Sequence, residues 1–118
     1  MISNALAGNT ADGDWDSVPR VSRDGGRAVV WLAGEHDIAT AGVLADTLAN
    51  VVSADDADLL VDLSGVTFMS TATIDELVLS RNLLRGQSRN LTLRSPSKCA
   101  RRLLDACGLT CLVEPIRA

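Results

Sequence analysis

The chain has 118 residues, 11 of them basic and 15 acidic, which gives a formal net charge of −4. This length suits one domain, and the negative charge disfavours nucleic acid or an anionic membrane as the main partner. No apolar run approaches the roughly 20 residues of a membrane-spanning helix, and the amino terminus has neither a basic flank nor an apolar block, so we expect a cytoplasmic protein without a signal peptide.

The order of the predicted elements indicates the fold class. Buried strands alternate with amphipathic helices after an amino-terminal hairpin, which implies right-handed crossovers and a mostly parallel sheet. We therefore expect a single α/β domain over residues 14–118, with a mixed, mostly parallel sheet and three to four helices. In chain order, the predicted elements are a flexible tail at 1–13, an edge strand at 15–23, a tight turn at 24–26, a buried strand at 28–33 that ends at Gly34, a helix at 40–53, a strand at 59–63 that ends at Ser64-Gly65, a helix that stops near Gly86, a strand at 91–95, a helix with Ser95 as N-cap and Gly108 as C-cap, and a short strand at 110–113.

Apolar residues at helical spacing predict which faces of the helices are buried. The second helix also carries a second apolar stripe, Leu79 and Leu83, which faces either a neighbouring helix or a partner protein. Arg81 and Arg85 flank this stripe. The predicted buried faces consist of Leu44, Leu48 and Val51 in the first helix, Ile74, Leu77, Val78 and Leu84 in the second, and Ala100, Leu103, Leu104 and Cys107 in the last.

The cysteines Cys99, Cys107 and Cys111 form no CxxC motif, and the single histidine is remote in sequence, so no metal site is expected. Cys99 and Cys107 are eight residues apart on one helix, about 12 Å, which exceeds the roughly 7 Å reach of a disulfide. Cys107 is expected to be a core thiol. Redox control through any of the three cysteines, within the chain or with another molecule, remains an alternative.

The single histidine, His36, lies between Glu35 and Asp37 in a predicted turn. A hydrolase that used this imidazole is conceivable, but the chain has no GxSxG motif and no glycine-rich phosphate loop. We interpret the segment as a solvated turn. The sequence therefore favours a protein that is not an enzyme and has no cofactor.

Three hydroxyls crowd the junction between a strand and a helix in VDLSGVTFMSTATIDELVLS, residues 61–80. Thr73 followed by Glu76 fits a capping box, which predicts that the hydroxyls cap the helix. A helix amino terminus also favours negative charge, so a phosphate on Ser70 or Thr71 would be accommodated there. Capping and regulation by phosphorylation are compatible interpretations of the same segment.

The segments LAGEHDIAT, LLVDLSGVTFMSTATIDELV and LTLRSPSKCARRLLDACGL resemble the STAS domain of bacterial anti-sigma factor antagonists. Gly34 to Asp37 are similar to the G-E-L-D turn of that family, and Asp62 to Gly65 to its D-L-S-G strand end. Phe68-Met69 precedes the family's phosphorylation loop, and Leu103 to Leu109 match the L-x-x-x-G-L of its last helix. The resemblance extends from about residue 15 to residue 113.

This resemblance implies a function in the regulation of transcription, typically in stress responses. An antagonist of this kind binds a kinase-type anti-sigma factor, which releases the sigma factor; the kinase phosphorylates a serine or threonine at the start of the second helix, and a Ser/Thr phosphatase reverses this. Alignment on Phe68-Met69 places Thr71 at the phosphorylated position, with Ser70 in place of the family's aspartate and Thr73 in place of its glycine. Ser70, Thr71 and Thr73 are the phosphorylation candidates. The expected partner-binding residues are Glu35, Asp37, Ser70, Thr71, Ala72, Thr73, Leu79 and Leu83.

Other functions of a STAS domain fit the same residues. The module could serve in a self-associating, stressosome-like scaffold, or could bind a nucleotide or a lipid at the crevice where the strands end. Control through Cys99, Cys107 or Cys111 would replace phosphorylation in either case. We expect a monomer or a weak dimer.

Overall fold

The structure is a computed structural model, and it describes residues 18–115. The tail predicted at 1–13 lies outside these residues, as does the first part of the edge strand predicted at 15–23. The described elements are β1 (Arg20–Asp24), β2 (Arg27–His36), α1 (Ile38–Ala54), β3 (Leu59–Met69), α2 (Thr71–Arg85), β4 (Leu91–Arg94), α3 (Lys98–Ala106) and a short 3₁₀ helix (Thr110–Leu112).

One four-stranded sheet has the order β1-β2-β3-β4. β1 and β2 form the predicted antiparallel hairpin, whereas β2 with β3 and β3 with β4 are parallel. Gly25 and Gly26 form the turn of the hairpin with φ angles of 59° and 87°, in the left-handed region that glycine adopts without strain. The expected α/β fold with a mixed, mostly parallel sheet is confirmed.

The helices cover one face of the sheet. Alternate strand residues such as Val30 and Val61 join one buried cluster with Leu44 of α1, Leu77 of α2 and Leu104 of α3. Because successive side chains of a strand point to opposite faces, the residues between them lie on the other face. All the apolar residues predicted to be buried in α1 are buried, and in α2 all are buried except Val78, which is half-buried.

β2 and β3 continue further than the sequence predicts. The ladder between them runs past Gly34 and Gly65 to the pair His36–Met69, through two register shifts. Gly34 has a φ of 78° and stays within the strand. At Gly65 the two backbones approach closely, since an added Cβ would lie 2.9 Å from the Cβ of Ala33. Glycine therefore marks an irregular, tightly packed part of these strands and does not end them.

The last helix begins and ends at different residues from those predicted. The N-cap is Ser97, whose hydroxyl accepts a hydrogen bond from the N–H of Ala100 at 3.3 Å. Ser95 has a φ of 51° and precedes the helix, so its prediction as N-cap was wrong. Cys107 is the C-cap and is exposed, so its prediction as a core thiol was wrong as well. The helix ends before Cys107 returns to the buried face.

The final segment is a 3₁₀ helix where a strand over 110–113 was predicted. Its buried residue, Leu112, packs in the core, and one parallel bridge joins Val113 to Leu93 at the outer edge of β4. The segment is too short to form a further strand. Only Val113, which follows the 3₁₀ helix, pairs with the sheet.

Candidate functional site

The carboxyl ends of β2 and β3 bring most of the predicted site residues together. Glu35 is opposite Phe68 and His36 is opposite Met69 in the ladder. The N–H of Ser70 donates to the carbonyl of His36 at 2.8 Å, so the start of α2 is fixed against the end of β2. This edge of the sheet, where α1 and α2 both begin, corresponds to the position at which parallel α/β sheets commonly form sites.

The three hydroxyls of the junction have different environments. Thr71 is exposed at the first position of α2. The hydroxyl of Ser70 is buried and has no hydrogen-bond partner within residues 18–115. Thr73 is fully buried, and its hydroxyl donates to the carbonyl oxygen of His36 at 3.0 Å. Only Thr71 presents its hydroxyl on the surface.

The predicted capping box of α2 does not form. Ser70 is the N-cap, and its side chain makes no capping hydrogen bond. Thr73 is turned away from the N-cap because its hydroxyl bonds to His36, so the pair of Thr73 and Glu76 was wrongly predicted. The positive end of the α2 dipole therefore lies beside Thr71 without a side-chain acceptor from the N-cap residue.

α1 has the capping box that α2 lacks. The carboxylate of Asp37 accepts hydrogen bonds from the N–H groups of Ala39 and Thr40 at 2.9 and 3.3 Å. The hydroxyl of Thr40 accepts in turn from the N–H of Asp37 at 3.1 Å. Asp37, an expected partner-binding residue, thus also stabilises the start of α1. Glu35, its neighbour in the expected surface, is exposed on β2.

His36 is buried, so its interpretation as part of a solvated turn was wrong. Its Nε2 lies 2.9 Å from the carbonyl oxygen of Ala33, and since a carbonyl only accepts, Nε2 carries the proton. Nδ1 is buried without a partner in the described chain. Burial lowers the pKa of His36 below its ordinary value, against the opposing effects of Ala33 and the charge of Asp37. The ring is therefore a neutral packing group.

Exposed apolar side chains lie around this edge and along α2. Ile38, at the start of α1, is 80% exposed, and Phe68, at the end of β3, is 50% exposed. Leu79 and Leu83 are 56% and 53% exposed, so each presents more than half of its surface to solvent. The sequence did not predict that Ile38 is an exposed apolar residue of this edge. Its position directly after the N-cap Asp37 was the signal that could have indicated it.

The opposite face of the sheet carries a polar network that sequence reasoning missed. Asp62 accepts hydrogen bonds from the N–H and hydroxyl of Ser64 at 2.9 and 2.6 Å and from Nε of Arg94 at 2.8 Å. Arg94 also lies over the ring of Trp31, 4.9 Å from its centroid. Burial acts to raise the pKa of Asp62, but the hydrogen bonds from Ser64 and Arg94 outweigh it and hold that pKa below its ordinary value. Asp62, the first residue of the D-L-S sequence, thus connects β3 to Arg94 of β4.

The three cysteines are separate thiols. Cys99 is half-buried and its thiol donates to the carbonyl of Val66 at 3.3 Å, whereas Cys107 and Cys111 are exposed. Within residues 18–115, no group of histidine, cysteine and acidic residues has the arrangement of a metal site. None of the helices in that same range has the length and apolar character that crossing a membrane requires.

The fold and this edge define the chain as a STAS domain. The family model described as "Mlab, STAS domain" matches residues 20–114, which is most of the chain, so the chain belongs to this family. No curated protein matches it.

Solved structures of anti-sigma factor antagonists have the same fold. An antagonist from Mycobacterium paratuberculosis is 27% identical, with a TM-score of 0.72 and coverage of 80% of each chain. The antagonist SpoIIAA in its unphosphorylated form is 14% identical, with a TM-score of 0.74 and coverage of 84% of this chain and 88% of that one. SpoIIAA of Bacillus in its phosphorylated form is also similar, with a TM-score of 0.68, 14% identity and coverage of 84% and 91%.

Proposed function

We propose that this STAS domain is a cytoplasmic anti-sigma factor antagonist that binds a kinase-type anti-sigma factor and is switched off by phosphorylation of Thr71. The observation that carries the proposal is the exposure of Thr71 at the first position of α2, beside the buried hydroxyls of Ser70 and Thr73. The named functions of the similar solved structures support the general role. The protein would act by binding and would not be an enzyme.

Phosphorylation of Thr71 would change the partner surface through charge. A phosphate adds about −1.5 to −2 charges at neutral pH and three strong acceptor oxygens. The N–H groups at the start of α2 and the helix dipole would stabilise these charges, so the modified protein would stay folded. The added charges would lie at the surface that the partner must contact, and the complex would weaken.

The burial of the other two hydroxyls narrows the phosphorylation candidates. A kinase must bring the acceptor oxygen to the γ-phosphate of ATP, which requires an exposed side chain. The hydroxyl of Thr73 would need the start of α2 to unfold before it became accessible, because it is buried and bonded to His36. The hydroxyl of Ser70 is buried as the residue stands and would need its side chain to rotate outward. We therefore place phosphorylation on Thr71, and infer that the backbone N–H of Ser70 and the hydroxyl of Thr73 fix α2 against β2.

The remaining expected contacts form a mixed polar and apolar partner surface. Glu35, Asp37 and Ala72 lie at the edge where the two strands end, and Leu79 and Leu83 continue the surface along α2. Exposed leucines on a helix fit an apolar contact in the interface centre, surrounded by charged residues at its rim. Binding here would cover Thr71, which explains how one phosphate could control the complex.

The test combines the purified protein with each kinase-type anti-sigma factor of its source organism, with ATP and magnesium. We expect a complex that dissociates as one phosphate is added, with the modified peptide mapped to Thr71. Thr71→Ala should bind but accept no phosphate, whereas Thr67→Ala, at an exposed threonine of β3, should behave as the wild type. A phosphatase specific for Ser/Thr should restore the complex.

Two results would contradict the proposal in different ways. A complex that forms without phosphorylation of Thr71 would leave an antagonist under another control, and alkylation or oxidation of the three cysteines would be examined next. The absence of a complex with every such anti-sigma factor would reject the antagonist function. A self-associating scaffold or a ligand sensor would then be the alternatives, distinguished by gel filtration and by analysis of bound small molecules.

A further inference from the structure

An open pocket of about 450 Å³ lies at the opposite end of α2 from Thr71. Leu91 and Leu112 are buried residues in its lining, and Asn90 and Thr92 add an amide and a hydroxyl. Its volume falls in the range of small-molecule sites, roughly 300–1,000 Å³. Such sites combine apolar walls with a few polar groups that orient the ligand, and this pocket has both.

Two guanidinium groups of α2, Arg81 and Arg85, line the same pocket. They are four residues apart and therefore project from the same side of the helix. Neither forms an ion pair or a side-chain hydrogen bond within the part of the chain that the structure describes.

The other charged groups of the pocket are already engaged. Arg27 donates to Glu114 at 2.9 Å, which neutralises both side chains. The carboxylate of Asp58 accepts a hydrogen bond from the N–H of Asn90 at 2.9 Å. A hydrogen bond from a neutral N–H does not cancel the charge of a carboxylate, so Asp58 still opposes the cations of the pocket. The lining holds three arginines, Arg27, Arg81 and Arg85, against two carboxylates, Asp58 and Glu114, and is therefore positive overall.

Arg89, the next arginine along the chain, has a purely structural function and serves as a comparison for Arg81 and Arg85. Its guanidinium is buried and donates to the carbonyls of Ala57 and Val52 and to the side chain of Gln87. Among residues 18–115, Arg81 and Arg85 have no comparable set of acceptors. Arg85 lies in the last turn of α2, where a cation stabilises the helix dipole, but Arg81 lies a turn earlier and this reason does not apply to it.

We propose that Arg81 and Arg85 bind a small phosphate-bearing ligand in this pocket. Although both arginines neighbour Leu79 and Leu83 in sequence, Arg81 lies about 160° around α2 from either leucine, at roughly 100° per residue, so the pocket is on the other side of the helix from the apolar stripe. Guanidinium groups form paired, charge-assisted hydrogen bonds with phosphate oxygens, and two of them match a ligand with two adjacent negative charges, such as a diphosphate. Asn90 and Thr92 supply further hydrogen bonds, and Leu91 and Leu112 pack against the apolar part of the ligand. Thr71 lies ten residues from Arg81 on α2, about 15 Å along the helix, so both sites would act on the same rigid element.

The exposed thiol of Cys111 provides a direct probe because it also lines the pocket. Inorganic pyrophosphate, added at physiological ionic strength, should slow the alkylation of Cys111 in a saturable way, as measured by peptide mass spectrometry. Cys107 is exposed but does not line the pocket, so its alkylation in the same sample should stay unchanged. Titration calorimetry with pyrophosphate should give a matching dissociation constant.

A pair of charge-matched variants tests which arginines are responsible. Arg81→Gln/Arg85→Gln should weaken pyrophosphate binding at least tenfold, whereas Lys98→Gln/Arg102→Gln, which removes two exposed cations of α3, should bind as the wild type. ADP and vesicles that contain phosphatidic acid, tested in parallel, show whether a soluble diphosphate or a lipid headgroup is the better ligand. Both variants should retain the partner complex of the proposed function.

The proposal is overturned if no phosphate-bearing probe protects Cys111 or gives saturable binding. It is also overturned if both charge-matched variants lose binding equally, because the effect would then reflect net charge alone. A loss of the anti-sigma factor complex in Arg81→Gln/Arg85→Gln, without any binding of the probes, would assign these arginines to the partner surface instead.

Discussion

The carbonyl oxygen of His36 lies 3.0 Å from the hydroxyl of Thr73, so a buried hydrogen bond joins the end of β2 to the first turn of α2. The N–H of Ser70 donates to the same carbonyl. One acceptor therefore fixes the start of α2, on both sides of Thr71, at two points. The loop presents one hydroxyl on the surface because the other two lie beneath it.

Replacement of Thr73 by valine should destabilise the fold. Valine has nearly the same shape as threonine, so the change removes the hydroxyl and keeps the packing. Thr73→Val removes one buried hydrogen bond, and we expect the free energy of unfolding to fall by about 1 kcal/mol. Thr71→Val, at the exposed neighbouring position, should stay within about 0.5 kcal/mol of the wild type. Urea denaturation of the two variants measures the difference, and equal stability of the two would contradict the assigned function of the Thr73 hydroxyl.

The stability of the protein should depend on the protonation of His36. Burial lowers the pKa of His36 in the folded state, so below about 6.5, the ordinary value, the unfolded chain binds the proton more readily. The contribution of neutral His36 is fully present above that pH and is lost as the pH falls towards the lowered folded pKa. Protonation would give Nδ1 a buried N–H that has no hydrogen-bond acceptor within residues 18–115.

His36→Leu isolates this effect, because leucine packs in the same place and does not titrate. Thermal unfolding between pH 7.5 and pH 5 should show a smaller loss of stability for His36→Leu than for the wild type. A parallel decline in the two proteins would mean that other groups cause the acid sensitivity.

The sequence predicts the parts of this fold that depend on local periodicity. Leu44, Leu48 and Val51 of α1, and Ile74 and Leu77 of α2, all lie in the core because helical spacing requires a common face. The alternation of strands and helices was also sufficient to predict a mostly parallel sheet. These features need no knowledge of distant contacts.

Contacts between distant residues decided the features that the sequence did not predict. Thr73 and Glu76 have capping-box spacing, but the hydroxyl of Thr73 bonds to His36, 37 residues away. β3 extends to Met69 because β2 continues beside it, although Ser64-Gly65 reads locally as a strand end. Cys107 is a different case with a local cause: it has the spacing of a buried residue but lies at the C-cap, where the helix has ended.

Removal of Arg94 should leave the buried carboxylate of Asp62 without its cation. Arg94→Met keeps much of the packing over Trp31 but removes the 2.8 Å hydrogen bond, and we expect a loss of about 2–3 kcal/mol in the free energy of unfolding. The wild type should lose stability as the pH falls below about 3.9, through the lowered pKa of Asp62, and the variant should show less of this acid-dependent loss.

An exposed ion pair offers the matched control for Arg94. Arg23 pairs with Asp55 on the surface, where solvent screens both charges. Arg23→Met should therefore cause a much smaller change than Arg94→Met under the same denaturation conditions. Comparable losses in the two variants would mean that the Asp62 network stabilises the sheet no more than a surface pair does.

Leu79 and Leu83 should matter for binding and not for folding. Both are more than half exposed on α2, so Leu79→Gln/Leu83→Gln should leave the free energy of unfolding within about 0.5 kcal/mol of the wild type. If these side chains fill the centre of the partner interface, the same variant should weaken the anti-sigma factor complex at least tenfold, by about 1.4 kcal/mol or more. Val43→Gln, a comparably exposed apolar residue of α1 at 52% exposure, serves as the control and should bind normally. Unchanged affinity of the leucine variant, measured by calorimetry, would confine the partner surface to the strand ends around Thr71.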